Sequence, residues 1–191
     1  MTFTDIVCFS KFAVPGVLIS SSIYKNNRYK YGPSYADDGV RSRSNEGFFF
    51  SKYESNPWIQ WHLREKTVVT GVIISTRRDC CGDKLRNVTI RAGLLGLNRT
   101  HSGIIININK LCGIFKGPGN TSMTYTINCT SAIMANYITL QMLGNYTSLQ
   151  INELATVTEP HVLKGKRNVY KSLFNLVKRY CVCKNMHDSI I

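Results

Sequence analysis

Short apolar segments separated by glycine, asparagine, serine and proline make up the chain before residue 160, where helical periodicity is nearly absent. In one segment Ile59, Trp61 and Leu63 alternate with polar residues, the pattern of a strand with one buried face. Residues 68–76 are rich in β-branched side chains and predict a strand that is buried on nearly both faces. Further strands are predicted at residues 88–92, 103–109, 137–142 and 151–157. So many short strands predict an all-β sandwich.

Residues 159–191 differ from the rest of the chain in charge and in periodicity. Seven basic residues stand here against two acidic ones. The apolar residues recur at helical spacing and predict an amphipathic helix that packs on the sandwich or lies on a membrane or partner. They are Val169, Leu173, Leu176, Val177 and Tyr180. We interpret the basic tail as a solvated extension; peripheral membrane contact is the alternative, and nucleic acid is not an expected partner.

Length and composition indicate one domain with a tail. The chain has 191 residues, of which 43% are hydrophobic, and no apolar run approaches the roughly 20 residues of a membrane-spanning helix. Its net charge of +13 also favours anionic glycans or cell surfaces as binding partners, and the charge alone does not distinguish between the two. An apolar patch at residues 12–19 follows Asp5 and lacks a basic leader, so no secretory signal peptide is predicted.

Cysteines and glycosylation sequons indicate an oxidising compartment. The chain has seven cysteines, a high count for a cytosolic protein. Sequons for N-glycosylation occur at Asn87, Asn98, Asn120, Asn128 and Asn145. We therefore expect an extracellular or secreted glycoprotein, although the missing signal peptide points the other way.

Candidate chemistry is concentrated in residues 76–85, where Cys80 and Cys81 are adjacent in a charged segment. Their α-carbons must lie about 3.8 Å apart, which is closer than in most disulfides. A bond between them would close a distorted eight-membered ring, and such strain usually accompanies a functional site. For an isolated Cys-Cys pair, two reduced and incidental cysteines are the more common outcome.

A ring of this kind offers a rigid apolar plate, and charged residues flank it. A hexose has an apolar face of C–H groups and a rim of oxygens. Arg77 and Lys84 are suited to donate charge-assisted hydrogen bonds to that rim. Asp79 is suited to hold the guanidinium in one orientation, which lowers the entropy cost of binding.

The order of several motifs resembles the F-type (fucose-binding) lectins. The charged loop, Arg-x-Asp-Cys-Cys-Gly-x-Lys, is similar to the signature of that family. Residues 12–22 resemble its opening strand, residues 36–39 its Ala-x-Asp-Gly turn, residues 56–58 its Asn-Pro-Trp segment, and residues 136–140 and 149–154 its closing strands. The resemblance implies a discoidin-like jelly-roll β-sandwich at residues 11–158, followed by the tail at residues 159–191.

The resemblance also implies roles for single residues. Arg77 and Lys84 would hold the sugar oxygens, Asp79 would fix the basic side chains, and the Cys80–Cys81 disulfide would pack against the sugar. Phe48 and Phe49 lie near the aromatic pair that receives the fucose methyl group. Cys112 and Cys129 would form a second disulfide, which stabilises by roughly 3 kcal/mol. Asp38, Glu153 and Ser51 would bind structural calcium together with backbone carbonyls.

Three positions depart from the family pattern. Phe50 or its neighbours stand where the sugar site contains a histidine, and Lys52 or Tyr53 is a candidate for the missing hydrogen bond. Asn152 stands where a cysteine is expected, and Val40 where an asparagine would help to bind calcium. These departures bear on fucose specificity more than on sugar binding.

The sequence therefore predicts a calcium-stabilised lectin for terminal fucose or a similar sugar on glycoconjugates. A single monosaccharide site should bind at micromolar to millimolar concentration, so a homo-oligomer is compatible with useful avidity. The alternative is a discoidin-like interaction module that has lost the sugar and binds an acidic protein, a polyanion or a membrane surface. Catalytic motifs are not visible, so we expect no enzyme. Cys181, Cys183 and His187 are weak candidates for a metal site, His62 is interpreted as structural, and Cys8 has no evident partner.

Overall fold

The computed structural model describes residues 16–97, 104 and 108–158, most of which belong to antiparallel strands or the turns between them. The strands are β1 (Gly16–Ser20), β2 (Phe49–Phe50), β3 (Trp58–Ser75), β4 (Val88–Gly93), β5 (Lys110–Phe115), β6 (Thr124–Met142), β7 (Gln150–Ile151) and β8 (Glu153–Thr158). A single helical turn, α1 (Arg28–Tyr31), and three 3-10 turns (Tyr24–Asn26, Pro33–Asp37 and Gly82–Lys84) lie between described strands. The predicted tail at residues 159–191 lies outside the described residues.

The two longest strands, β3 and β6, form the centre of the larger sheet. They pair antiparallel, and their register shifts between His62 and Thr67 and again between Val69 and Gly71. The first part of β3 also pairs with β1, and its last part pairs with β8. Strand β4 pairs with the end of β6 and with β5, whereas β2 and β7 form a separate ribbon. Shifts of this kind bend a strand, so each half of β3 contributes to the same core.

The core confirms the alternation that the sequence predicts. Ile59, Trp61 and Leu63 are at most 1% exposed and belong to the same apolar cluster as Val72 and Ile74 from the other half of β3. Trp58 is equally buried, so both tryptophans are core residues. Together with the antiparallel strands, this cluster confirms the predicted all-β sandwich.

The structure differs from the strand predictions at two places, in β6 and at Asn152, and a third prediction lies largely outside the described residues. The predicted strand at residues 103–109 falls largely on residues outside the described set, and the observed edge strand β5 begins at Lys110. The first half of β6 escaped prediction because its outward positions are polar and exposed, as Thr124, Thr126 and Asn128 are. The predicted strand at residues 151–157 is divided at Asn152 into the end of β7 and β8.

Among the described residues, no helix has both the length and the hydropathy needed to cross a membrane. The longest described helical segments contain four or five residues. These segments connect strands.

Candidate functional site

The charged loop at residues 76–85 follows the end of β3 and runs beside a second loop, residues 117–123. The Thr76 hydroxyl donates to the backbone carbonyl of Asn120 at 2.7 Å and accepts from the backbone N–H of Met123 at 3.0 Å. Because β3 ends in a fully buried segment, this pairing fixes the loop to the rigid part of the sandwich.

Cys80 and Cys81 form a disulfide at the outer edge of this loop, as the resemblance implied. Cys81 has a backbone φ of 62°, a left-handed conformation that is uncommon for a residue with a side chain. The next residue, Gly82, is buried, and a Cβ there would lie 2.3 Å from the backbone of Asn120 and Thr121. Both cysteines remain partly exposed, so the disulfide is available to a ligand.

Arg77 is held on three sides. Its Nε donates to Asp79 Oδ1 at 3.0 Å, and its Nη2 donates to Oδ2 of the same carboxylate at 2.5 Å. Its Nη1 donates to Gln150 Oε1 at 2.9 Å, and the guanidinium carbon lies 4.3 Å from the centre of the Phe48 ring. A guanidinium has five N–H donors, and its bonds to described residues use three of them, which leaves one further donor on each Nη atom.

Arg77 is largely buried, although it belongs to a charged loop. Only 9% of its surface is exposed. The pKa of Asp79 is lowered overall: partial burial opposes ionisation, but the hydrogen bond and positive charge of Arg77 outweigh it. Arg77 and Asp79 therefore form a charge pair that is fixed in one orientation, as the sequence predicted, and also contribute to the local structure.

Lys84 provides a second positive charge close to the disulfide. It is exposed and closes the 3-10 turn that follows the disulfide, where its backbone N–H donates to the carbonyl of Cys81 at 3.1 Å. The loop thus combines a partly exposed disulfide, one fixed guanidinium and one exposed ammonium group.

Phe48 and Phe49 are both fully buried, which corrects their predicted contact with a sugar methyl group. Phe48 lies beneath the Arg77 guanidinium, and Phe49 belongs to the main apolar core. Neither ring has the exposed surface that a direct contact requires. Phe48 instead packs against the guanidinium of Arg77.

Phe50, which itself or through its neighbours stands where the family pattern has a histidine, belongs to an aromatic cluster. It stacks on Tyr24 with ring centres 4.1 Å apart and lies 6.0 Å from Phe48. Tyr53 packs edge-on against Phe50 and stacks on Tyr146. Of the two candidates for the missing hydrogen bond, Tyr53 is therefore an exposed member of this cluster, and Lys52 is exposed beside it.

The predicted calcium ligands are only partly brought together. Asp38 and Glu153 lie at one turn, where the Gly39 N–H donates to Glu153 Oε1 at 3.4 Å and the Val40 N–H donates to Asp38 Oδ1 at 2.8 Å. Gly39 has a φ of 75°, which favours glycine. Burial, with the charges of Asp38 and Asp37, raises the pKa of Glu153 to about 7.

The same turn holds a carboxylate that the sequence interpretation missed. Burial, with the charge of Asp38, raises the pKa of Asp37 to about 6. Glu153 Oε2 is buried and has no hydrogen-bond partner among the described residues. An unpaired carboxylate oxygen among like charges fits a hard cation. Two consecutive aspartates before a glycine were the available signal for Asp37.

Ser51, the third predicted calcium ligand, has no hydrogen bond to Asp38 or Glu153 among the described residues and bonds elsewhere. Its hydroxyl donates to the carbonyl of Lys52 at 2.9 Å and accepts from the backbone N–H of Leu149 at 2.9 Å. It is completely buried and links the two strands of the β2–β7 ribbon. Within the described part of the chain, no three His, Cys, Asp or Glu side chains are grouped closely enough to hold a metal ion.

The second predicted disulfide, Cys112–Cys129, is present and links β5 to β6. His62 is exposed and stacks on Tyr137 at 4.5 Å, in agreement with its structural interpretation. The remaining candidates Cys8, Cys181, Cys183 and His187 lie outside the described residues.

Gln150 is the site residue that the sequence analysis did not identify. It is 73 positions after Arg77 and contacts it because β7 brings its side chain to the edge of the guanidinium, within hydrogen-bond distance of Nη1. Its own amide donates to the Ser148 hydroxyl at 2.9 Å. The polar residues Ser148, Gln150 and Asn152 alternate with apolar ones and are all buried, and this alternation was the available signal.

Comparison with known proteins identifies the family. The model of the F5/8 type C domain matches residues 19–156. Fucolectin-1 of Anguilla japonica is 29% identical over 112 residues, which cover 58% of this chain and 59% of that protein. Fucolectin-4 of the same organism is 30% identical over 122 residues, 63% of this chain and 64% of the relative. The chain thus spans about three fifths of the length of these relatives.

Solved structures agree on the fold. An F-lectin (fucolectin) from the serum of Morone saxatilis, the striped bass, superposes with a TM-score of 0.65 at 23% identity, covering 78% of this chain and 48% of that one. This result confirms the discoidin-like β-sandwich, and the fucolectin matches confirm the resemblance to the F-type lectins. The family also agrees with the prediction of a binding domain rather than an enzyme. The chain belongs to the F5/8 type C domain family.

Proposed function

We propose that this chain is a lectin that binds terminal fucose or a similar sugar on glycoconjugates. The observation that carries the proposal is the fixed guanidinium of Arg77, two of whose donors remain unused beside a partly exposed vicinal disulfide. Similarity to fucolectins, proteins named for fucose, supports the same ligand.

Each part of the loop has a chemical role in this proposal. Arg77 and Lys84 donate charge-assisted hydrogen bonds to the ring and hydroxyl oxygens of the sugar. The Cys80–Cys81 disulfide packs against the C–H face. Asp79 keeps the guanidinium in place before the sugar arrives, so that less conformational freedom is lost on binding.

Calcium is a second part of the proposal. Asp38 and Glu153 would hold the ion together with backbone carbonyl oxygens, and Asp37 would add negative charge. The raised pKa of Glu153 and its unpaired Oε2 support this assignment, because a bound cation would compensate both. The ion would act by stabilising the turn at Gly39, since none of these carboxylates contacts Arg77 in the described hydrogen-bond network.

We also propose an extracellular location, as the two disulfides are stable in oxidising compartments. The predicted domain boundaries, 11–158 and 159–191, remain part of the proposal. Weak single-site affinity would make an oligomer useful for binding multivalent glycans.

Titration of the full chain with free fucose tests the proposal. Arg77→Lys keeps the positive charge but loses the paired contact with Asp79, and it should weaken binding about tenfold or more. Arg64→Lys is the matched control, because Arg64 is exposed on β3 away from the loop. Fucose binding by neither the wild type nor the control would refute the proposal. Salt-sensitive binding to an acidic protein, a polyanion or a membrane, with no effect of any sugar, would favour the discoidin-like alternative.

A further inference from the structure

A group of three arginines, Arg41, Arg43 and Arg78, lies next to the sugar site, and the proposed function leaves it unused. Arg78 follows Arg77 directly in the loop, and its Nη1 donates to the backbone carbonyl of Arg41 at 3.3 Å. The three residues come from two segments of the chain, which this bond joins.

Further bonds fix the segment that carries Arg41 and Arg43. Arg41 Nη2 donates to the carbonyl of Ser122 at 3.3 Å, in the loop that supports the disulfide. Asn152, two positions after Gln150, donates from its Nδ2 to the carbonyl of Ser42 at 2.8 Å. The arginine group is therefore anchored to the same framework that positions Arg77.

The charges of this group are poorly compensated. Among the described residues, Arg43 and Arg78 form no salt bridge, and Asp79 is occupied by Arg77. Partial desolvation, followed by the positive charges of Arg43 and Arg41, lowers the pKa of the Arg78 guanidinium. Arg41 differs because Glu153 lies close enough for their charges to interact.

Uncompensated like charges held together repel each other, and an anion bound between them would remove that repulsion. The planar fork of a guanidinium also matches the paired oxygens of sulfate esters and carboxylates. A neutral hydroxyl bound between the arginines would be less strongly stabilised than an anion, because it brings no negative charge to offset their repulsion.

We propose that Arg43 and Arg78 form a subsite for an anionic substituent, a sulfate ester or a carboxylate, carried by the glycan whose neutral sugar binds at Arg77. This inference rests on the proposed function and specifies its ligand class. In this proposal, Arg43 and Arg78 determine the preference for anionic over neutral glycans. Arg77 and the disulfide provide the affinity for the neutral sugar.

The test compares three probes with the full chain. They are a neutral fucosylated trisaccharide, the same trisaccharide with one sulfate ester, and the same trisaccharide with one carboxylate. The variant is Arg43→Gln with Arg78→Gln, and the matched control is Arg64→Gln with Lys66→Gln, an exposed pair on β3 with the same charge change. Dissociation constants are measured by calorimetry at several salt concentrations.

We expect at least one anionic probe to bind about tenfold more tightly than the neutral probe, both in the wild type and in the control. That preference should be lost in the Arg43/Arg78 variant, while affinity for the neutral probe stays the same. Whether the sulfate or the carboxylate gives the larger gain identifies the source of the anion.

Two results would overturn the inference and leave the proposed function intact. One is equal affinity for the neutral and both anionic probes; the other is an equal loss of preference in the control, which would indicate a general charge effect. Binding to vesicles of phosphatidylcholine and phosphatidylserine through Arg43 and Arg78, without preference for anionic glycans, would replace the subsite with a membrane contact. Failure to bind any of the three glycans would refute the proposed function itself.

Discussion

The guanidinium carbon of Arg77 lies 4.3 Å from the centre of the Phe48 ring, and Phe48 is completely buried. The ring packs against one face of the planar guanidinium and leaves the N–H donors at its edges unobstructed, and cation–π contacts strengthen when they are shielded from water. Phe48 is therefore a positioning residue for the proposed sugar site.

The contribution of Phe48 can be separated from simple core packing by comparison with its neighbour. Phe48→Leu should destabilise the domain by about 1–2 kcal/mol and weaken fucose binding severalfold, because the platform under Arg77 is lost. Phe49→Leu removes an equally buried ring that faces the main core. It should cost similar stability and leave the fucose affinity of the folded protein unchanged. Chemical denaturation and calorimetry measure the two effects, and equal affinities in both variants would contradict the positioning role.

Asp79 is expected to act by orienting Arg77. In the wild type, the Arg77 guanidinium donates to both carboxylate oxygens of Asp79. Asp79→Asn leaves only one acceptor oxygen, so the guanidinium is less well oriented and fucose affinity should fall about tenfold. Asp83→Asn is the control in the same loop, since Asp83 pairs with Arg86 on an exposed surface at 3.5 Å. Its removal should change neither affinity nor stability appreciably. An equal loss in both variants would assign the effect to the net charge of the loop.

The two disulfides should have opposite effects when removed. The Cys80–Cys81 bond closes no loop in the unfolded chain, so replacing both residues by serine should change stability by less than about 1 kcal/mol. Fucose affinity should nevertheless fall, since the apolar plate is lost. Replacing Cys112 and Cys129 by serine should cost roughly 3 kcal/mol and spare the affinity of the folded fraction. Full fucose affinity without the vicinal bond would remove the disulfide from the proposed site.

Calcium should stabilise the protein through Asp38 and Glu153. Excess calcium should raise the melting temperature of the wild type, because a ligand of the folded state stabilises by mass action. Glu153→Gln should abolish this shift. Glu65→Gln, which removes an exposed carboxylate on β3, should retain it. A melting temperature that is independent of calcium in the wild type would refute the calcium proposal.

Much of the fold could be predicted from local patterns. The alternation of Ile59, Trp61 and Leu63 identified a buried strand face, because side-chain direction in a strand depends only on the period of two. The pattern failed at the first half of β6, where polar residues at the outward-facing positions give little apolar signal. It also missed the break at Asn152, since a strand can leave one ribbon and join another sheet without a change in composition.

The sequence by itself determined which chemical groups the charged loop contains, because Arg77, Asp79, Cys80, Cys81 and Lys84 lie within eight consecutive residues. Only the tertiary structure decided what supports that loop. Gln150 and Phe48 reach Arg77 through the β2–β7 ribbon, and Ser51 is held in that ribbon away from the carboxylates. Contacts between residues so distant in sequence depend on strand pairing and register, which local composition does not specify.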